Sequence, residues 1–307
     1  AWSALTLAPD AGFDVSTVDT STTVLDQHVA APIGVAPTGF HGLVHPTAES
    51  GTARACAQTG LLFTLSSRAS LQFDECVVSG APWWFQAYVV NDRRITEGQV
   101  QRAIALGATA IVLTVDTPVL PSRRRSRSGG LVDAPTMLRN APAGASLVDI
   151  EQSPTVTTGD VRWLAELSGL PVVVKGILRP DTALRFADAG ARAIWVSNHG
   201  GRQLDGAVAP AQALGTIAAA VPDDVEVYVD GGIRSGIDVL RAVALGARCA
   251  FVGRAPLLGL AAGGVQGAAD VLTRLHQEFR QAMQLCGRTS VDVLGPDLLW
   301  PQFIARG

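Results

Sequence analysis

The sequence is poor in the residue types that define several classes of protein. Only 4 of its 307 residues are cysteine, and Cys56, Cys76, Cys249 and Cys286 show no CxxC spacing. This pattern excludes a disulfide framework and a cysteine-based metal site, and it favours a reducing compartment. Because no charged-then-apolar signal peptide opens the chain, we expect the protein in the cytoplasm.

Strong net charge and long apolar runs are also missing. The net charge is -3, which argues against a partner held through nucleic-acid phosphates. No segment approaches the ~18–20 uninterrupted apolar residues that a membrane span needs. We therefore expect neither nucleic-acid binding nor membrane association. The 48% of hydrophobic residues lie in short runs, as in one large core.

Lysine is the scarcest charged residue, since Lys175 is the only lysine among the 24 Lys and Arg. A preference for arginine codons explains that scarcity but not the position. Lys175 closes the run PVVVKGI, where a strand is predicted to end. Of the two tyrosines, Tyr88 closes the similar run WWFQAYV, whereas Tyr228 lies inside a predicted strand.

Short β-branched or aromatic runs recur along the chain, each followed by an alanine-rich helical pattern. Helical segments such as GQVQRAIALGA and GIDVLRAVALGA end in Gly-Ala, which stops a helix before the next strand. Eight such alternations predict an α/β protein, a closed TIM (β/α)8 barrel. An open doubly wound sheet is the alternative, but no GxGxxG follows the first strand. The strand-like runs begin at Pro32, Leu61, Pro82, Thr109, Pro171, Arg192, Val225 and Arg248.

We interpret residues 1–307 as one barrel domain. The regular spacing breaks once, after strand four, and residues 117–157 are expected to form a long, mobile active-site loop. The chain up to about Ala30 is predicted to close the barrel. Residues Gly267 to Cys286 are predicted to form a long amphipathic helix.

Polar residues follow nearly every predicted strand, at the end of a TIM barrel where chemistry gathers. DGGIRSG, from Asp230, and VGR, from Val252, offer glycine amides and arginines that suit a phosphate. His199 can exchange a proton near neutral pH, and Arg202 or Arg123 can clamp a carboxylate. These polar positions are Thr38, Ser66, Gln86, Tyr88, Thr114, Asp116, Lys175, His199, Arg202, Asp230, Arg234 and Arg254.

Five segments together resemble one enzyme family, the FMN-dependent α-hydroxy acid dehydrogenases and oxidases. They are APIGVAPTGFHGLVHP, FQAYVVNDR, LTVDTP, SNHGGRQLDGA and VDGGIRSGIDVLRAVALGA. The resemblance runs from about Asp19 to Leu299. The family includes enzymes that oxidise glycolate, lactate and (4-hydroxy)mandelate. The resemblance implies that FMN binds in the barrel mouth and that the protein oxidises a small L-2-hydroxy acid to the 2-oxo acid.

The resemblance also assigns roles to residues of this chain. Lys175 would lie beside the flavin and stabilise its anionic reduced form. For the remaining FMN contacts, the flavin ring would meet Ala36, Pro37, Thr38, Ser66, Gln86, Thr114 and Ser197. The phosphate would meet Asp230, Gly231, Gly232, Arg234, Gly253 and Arg254.

On the substrate side, the resemblance implies that Arg123, Arg202 and Tyr88 bind the hydroxy acid. His199 would remove a proton, oriented by Asp116, with Tyr88 close to the reacting group. Whether that proton leaves the α-carbon or the hydroxyl stays open. Oxygen or another acceptor would reoxidise the flavin, and a homotetramer is expected from the family.

The sequence departs from the family at several positions. The family normally has an additional active-site tyrosine in an N-terminal helical segment, and this sequence begins downstream of it. Either that segment has been removed or is not included in the sequence, or the site is incomplete. Gly39 stands where many members have alanine, which leaves oxidase, dehydrogenase and monooxygenase behaviour open. Arg68 stands where several carry an aromatic residue, and Arg123 lacks the usual preceding glycine.

Three rival interpretations remain open. One is a specialised biosynthetic member of the same family that acts on an unusual amino or hydroxy acid. Another is a different FMN- or phosphate-binding barrel, for example an isomerase. The third is a degenerate barrel without enzymatic activity, which the presence of His199, Arg202, Lys175, Asp116 and Tyr88 argues against.

Overall fold

The computed structural model describes residues 1–78, 80–119 and 132–300. Eight parallel strands form a closed barrel in which each strand pairs with the next along the chain and the last pairs with the first. This confirms the predicted TIM barrel, and all eight predicted runs supply a strand. The barrel strands are β3 (Ile33–Val35), β4 (Leu62–Ser66), β5 (Trp83–Ala87), β6 (Ile111–Thr114), β7 (Val172–Ile177), β8 (Ala193–Val196), β9 (Glu226–Val229) and β10 (Cys249–Val252).

The helices between these strands form the outer layer. The apolar sides of these helices pack on the outward-facing residues of the strands. The sequence therefore alternates between segments of helical periodicity and fully apolar strand segments. Helices end at the predicted Gly-Ala pairs. Gly107 and Gly246 are examples, and both have positive φ. The helices are α1 (Ala48–Thr59), α2 (Phe73–Cys76), α3 (Arg93–Ala105), α4 (Ala134–Met137), α5 (Gly159–Ser168), α6 (Pro180–Asp188), α7 (Pro210–Ala218), α8 (Gly236–Ala244) and α9 (Arg254–Leu285).

The N-terminal segment closes the bottom of the barrel, as expected. It forms an antiparallel hairpin of β1 (Thr22–Val24) and β2 (Gln27–Val29). Val24, Leu25 and Val29 join the buried cluster inside the barrel, which includes Trp84, Trp195, Tyr228 and Phe251. The backbone N–H of Leu25 donates to the Glu226 carboxylate at 3.1 Å, and the Tyr228 hydroxyl donates to the same group at 2.7 Å.

Helix α9 is longer than the predicted segment from Gly267 to Cys286. It begins at Arg254 and is broken by non-helical backbone at Gly263 and Gly264. This helix is long and apolar enough to cross a membrane. Core helices of soluble proteins can have the same length and composition. Leu260, Leu272 and Phe279 on it are buried. The absence of membrane association therefore stays a prediction.

Candidate active site

The predicted functional residues collect at one end of the barrel, because parallel strands place all their carboxyl ends together. Ser66 and Thr114 are the last residues of β4 and β6, and Gln86 is the penultimate residue of β5. Ala36, Ser197, Asp230 and Gly253 directly follow β3, β8, β9 and β10. Of the predicted site residues, Arg123 lies outside the described residues, and its role stays a prediction.

His199 and Asp116 form the central pair of this end. His199 Nδ1 lies 2.9 Å from Asp116 Oδ1, and the two side chains are 23% and 12% exposed. Because Nδ1 faces the carboxylate, Nε2 is the ring nitrogen left to meet a substrate. The pair therefore has the geometry of a general base held by a carboxylate, and its catalytic role stays a prediction.

The backbone around His199 has an unusual conformation. His199 has a φ of +57°, and Gly200 and Gly201 follow at +65° and +74°. The His199 N–H donates to Ser197 Oγ at 3.0 Å, and the Gly201 N–H donates to Asn198 Oδ1 at 3.1 Å. The Gly-Gly pair thus lets the chain turn sharply after β8, and this turn sets the position of the imidazole.

Gly176 allows Asp116 to approach the barrel wall. The pairing of β7 with β8 shifts register between Lys175 and Ile177, and Gly176 has a φ of +111°. A Cβ at this position would lie 2.6 Å from the Cβ of Asp116. Only glycine fits both the conformation and the space. Sequence reasoning missed this residue, although a glycine inside a strand signals a bulge or a close approach.

Asp116 remains an anion in this setting. Burial by itself would raise the pKa of its carboxyl. The hydrogen bond from His199 and the positive charge of Lys175 outweigh burial, so the pKa is lowered. Thr117 and Gln203, which sequence reasoning also missed, donate to Asp116 Oδ1 at 3.2 Å and to its backbone carbonyl at 2.9 Å.

Lys175 is the centre of a second polar network. Its ammonium lies 2.9 Å from Ser197 Oγ and 3.0 Å from Asp230 Oδ2, and Ser197 Oγ donates to Asp230 Oδ1 at 2.7 Å. The side chains of Lys175 and Asp230 are 5% and 8% exposed. Burial alone would lower the pKa of Lys175, but the carboxylates of Asp230 and Asp116 raise it. Lys175 is therefore a fixed buried cation.

The residues of this network fit FMN. A lysine has three N–H donors, and Ser197 and Asp230 take two of those of Lys175. Gln86 accepts from Ser66 Oγ at 2.9 Å, while its buried Nε2 has no hydrogen-bond partner among the described residues. A buried donor of this kind calls for an acceptor, which the carbonyl-bearing flavin ring provides. Thr114 is buried at the end of the adjacent strand.

The two turns after β9 and β10 fit the phosphate end. Gly231 and Gly232 have φ of +90° and +85°, which turns the chain directly after Asp230. Trp2, near the start of the chain, donates from Nε1 to the Gly231 carbonyl at 2.8 Å and supports this turn. Arg254 donates to the Gly200 carbonyl at 3.2 Å, which joins the second turn to the His199 segment.

The loop after β3 completes the rim. The Ala36 N–H donates to the Val252 carbonyl at 2.9 Å, and Thr38 Oγ1 donates to the Ala36 carbonyl at 3.2 Å. A Cβ on Gly253 would lie 3.7 Å from Thr38 Oγ1. The predicted flavin-ring residues and phosphate residues are therefore neighbours across the β3–β10 seam. Pro37 lies between Ala36 and Thr38, and Arg234 lies in the turn after β9.

Tyr88 follows β5 and packs against the cluster of Val90, Ile95 and Ile150. Burial raises the pKa of its phenol, with Lys175 acting against that effect and Asp116 adding to it. The phenol is therefore protonated at neutral pH and can donate a hydrogen bond. Arg202 is exposed, three residues after His199, and its contact with the substrate carboxylate stays a prediction.

Comparison with known proteins gives consistent results along the whole described barrel. The FMN-dependent dehydrogenase family matches residues 1–301. 2-Hydroxyacid oxidase 2 of Rattus norvegicus is 41% identical over 304 residues, which covers 93% of this chain and 84% of the relative. L-lactate oxidase of Nostoc sp. is 41% identical over 301 residues, covering 92% and 82%. Mandelate oxidase solved with (S)-4-hydroxymandelic acid superposes with a TM-score of 0.88 at 37% identity, covering 97% and 87%.

Proposed function

The chain belongs to the FMN-dependent dehydrogenase family, and from that premise we propose that it oxidises small 2-hydroxy acids with His199 as the base. The enzyme is an FMN-dependent oxidoreductase whose relatives are named 2-hydroxyacid, lactate and mandelate oxidases. One observation supports the role of His199 most directly. Its Nδ1 is 2.9 Å from the buried carboxylate of Asp116, so Nε2 is available to the substrate.

The described residues divide the work between them. Arg202 binds the substrate carboxylate, and the Tyr88 phenol donates a hydrogen bond to the substrate oxygen. His199 Nε2 accepts one proton of the substrate, and Asp116 stabilises the imidazolium that results. FMN bound at this end of the barrel would supply the oxidant, taking up the two electrons together with the second hydrogen of the substrate, so that the product is the 2-oxo acid. The proton that His199 takes is either that of the α-carbon or that of the hydroxyl.

Lys175 sets the charge at the cofactor. A buried ammonium close to the flavin stabilises negative charge that develops on reduction. Ser66, Gln86 and Thr114 would hold the ring, and the turns at Gly231–Gly232 and Gly253–Arg254 would hold the phosphate. We propose oxygen as the acceptor, because the named relatives are oxidases. The tetramer and the cytoplasmic location stay predictions.

Anaerobic reduction tests this function. Purified protein loaded with FMN is mixed with lactate, glycolate or mandelate, and the visible flavin absorbance is followed. We expect at least one acid to bleach the flavin, and admission of oxygen to restore the colour with release of hydrogen peroxide. His199→Asn should keep FMN bound and slow bleaching by about 10²–10⁴-fold, the usual contribution of a general base. Equal rates in the two proteins would remove His199 from the mechanism.

A further inference from the structure

Arg68 is a partly buried cation beside the site, and it has no acidic partner among the described residues. Its guanidinium donates to the backbone carbonyl of Ile150. Every aspartate and glutamate of the chain lies within residues 1–78, 80–119 and 132–300, and no ion pair joins any of them to Arg68. Buried charges in proteins are normally paired, so an unpaired guanidinium next to a ligand site calls for an anion.

The backbone of Arg68 is held firmly against the barrel mouth. Its N–H donates to Ser66 Oγ at 3.2 Å, and its carbonyl accepts from the Phe40 N–H at 2.9 Å. A Cβ on Gly39 would lie only 3.0 Å from the Cβ of Arg68. The side chain therefore starts from a fixed point between the ends of β3 and β4.

The Arg68 guanidinium lies near Tyr88, because it donates to the Ile150 carbonyl and Tyr88 packs against the cluster that contains Ile150. Burial lowers the pKa of Arg68, and among the described residues the Tyr88 phenol opposes this effect. The same phenol senses Lys175 and Asp116. Tyr88 is thus close to both Arg68 and Asp116. A substrate that contacts Tyr88 comes within range of both.

We infer that Arg68 determines substrate specificity by binding a second carboxylate, at the end of the 2-hydroxy acid away from the oxidised carbon. The inference rests on the proposed function. A guanidinium has five N–H donors, and Ile150 takes one, which leaves enough for a two-pronged contact with a carboxylate. Arg202 would hold the first carboxylate, and Arg68 would hold the second across Tyr88. The preferred substrates are therefore 2-hydroxy dicarboxylic acids.

Pairs of acids that match in chain length test this specificity. (S)-malate is compared with (S)-2-hydroxybutanoate, and (S)-2-hydroxyglutarate with (S)-2-hydroxypentanoate, in anaerobic reduction of the FMN-loaded enzyme. We expect kcat/KM to favour the dicarboxylate in each pair. Arg68→Leu should lower that dicarboxylate-to-monocarboxylate ratio by about 10- to 150-fold, the range for hydrogen bonds to a charged group. Arg68→Lys, which keeps the charge, should recover part of the ratio.

Arg54→Leu is the matched control, because Arg54 lies on an exposed position of α1 and its loss changes the net charge equally. Arg54→Leu should have the same dicarboxylate-to-monocarboxylate ratio of kcat/KM as the wild type. A second readout is binding of 2-oxoglutarate against 2-oxopentanoate, followed through the visible spectrum of the bound flavin. Arg68→Leu should weaken the binding of 2-oxoglutarate and leave that of 2-oxopentanoate unchanged.

The outcomes separate the two proposals. If Arg68 only braces the Ile150 segment, Arg68→Leu slows both acids of a pair equally, and the specificity role is refuted. If the wild type reduces flavin only with monocarboxylates, the role of Arg68 is likewise refuted, while the proposed function stands. Failure of every 2-hydroxy acid to bleach the flavin would overturn the proposed function and, with it, the inference.

Discussion

Replacing Asp116 by asparagine isolates the contribution of charge to the base. The carboxylate lies 2.9 Å from His199 Nδ1 and is 12% exposed, so water compensates little for its loss. Asparagine keeps the size of the side chain and removes the charge. Its amide can accept from Nδ1 through oxygen, or it can present its NH₂ group and force the proton onto Nε2, which would block that nitrogen as a base.

The size of the effect depends on which of these two arrangements forms. If the amide oxygen accepts, a charged hydrogen bond becomes a neutral one, a loss of ~1–2 kcal/mol, or about 5- to 30-fold in rate. If the wrong tautomer forms, the loss rises towards roughly 10⁴-fold, as in Ser-His-Asp sites with the same substitution. We expect a decrease within this range.

Anaerobic stopped-flow reduction of the bound flavin measures this step without interference from oxygen. FMN content should equal that of the wild type, because the Asp116 side chain hydrogen-bonds to His199 and Thr117 and not to a predicted cofactor residue. Asp181→Asn is the matched control, since Asp181 is 60% exposed and pairs only with Arg179 among the described residues. An unchanged reduction rate in Asp116→Asn would refute the reasoning, and so would a loss of FMN that alone accounts for the lower rate.

Three further predictions follow from the same contacts. Lys175→Met leaves Asp230 buried without its cation, so unfolding free energy should fall by about 3–5 kcal/mol in denaturant titrations. The double variant Lys175→Met with Asp230→Asn should regain stability but not FMN affinity. Full FMN affinity in the single or the double variant would contradict the cofactor role of Lys175. Gly176→Ala forces a Cβ to 2.6 Å from Asp116 and should slow flavin reduction by roughly 10²-fold through misplacement of the base; a normal rate would show that the bulge tolerates a side chain. The pKa of Asp116 is lowered below 3.8, so its charge stabilises the fold above that pH and this stabilisation is lost as pH falls through the folded-state pKa. The stability difference between wild type and Asp116→Asn should therefore shrink as pH falls below 3.8, and a difference that grows in acid would reverse the sign of the argument.

The barrel could be predicted because each of its strands carries a local signal. Runs such as TAIVLTVD and PVVVKGI are apolar throughout, as strands buried on both faces must be, and the Gly-Ala pairs end the helices. The hairpin β1–β2 could not be predicted as strands, because each is three residues long and its turn residues, Leu25 and Asp26, are not glycine despite positive φ. The tertiary contact with Glu226 holds that turn.

The site could be predicted as a set of residue types at strand ends, but not as a set of pairings. Sequence position brings Lys175 and Asp116 to the same barrel end without showing that Asp230 and Ser197 take two donors of the lysine. Thr117 and Gln203 are ordinary loop residues in the sequence, and only the folded chain brings their donors to Asp116. Local sequence patterns do not indicate such long-range contacts.

The aromatic cluster inside the barrel has an optical consequence. Lys175 lies 5.5 Å from the ring centre of Trp195, and the rings of Trp195 and Phe251 are 3.9 Å apart, with Trp84 nearby. These two buried indoles lie inside the barrel whose mouth is proposed to hold the flavin. Flavin absorbs where tryptophan emits, so loading with FMN should quench their fluorescence by energy transfer. The barrel interior would thereby report cofactor occupancy in real time, without any substrate.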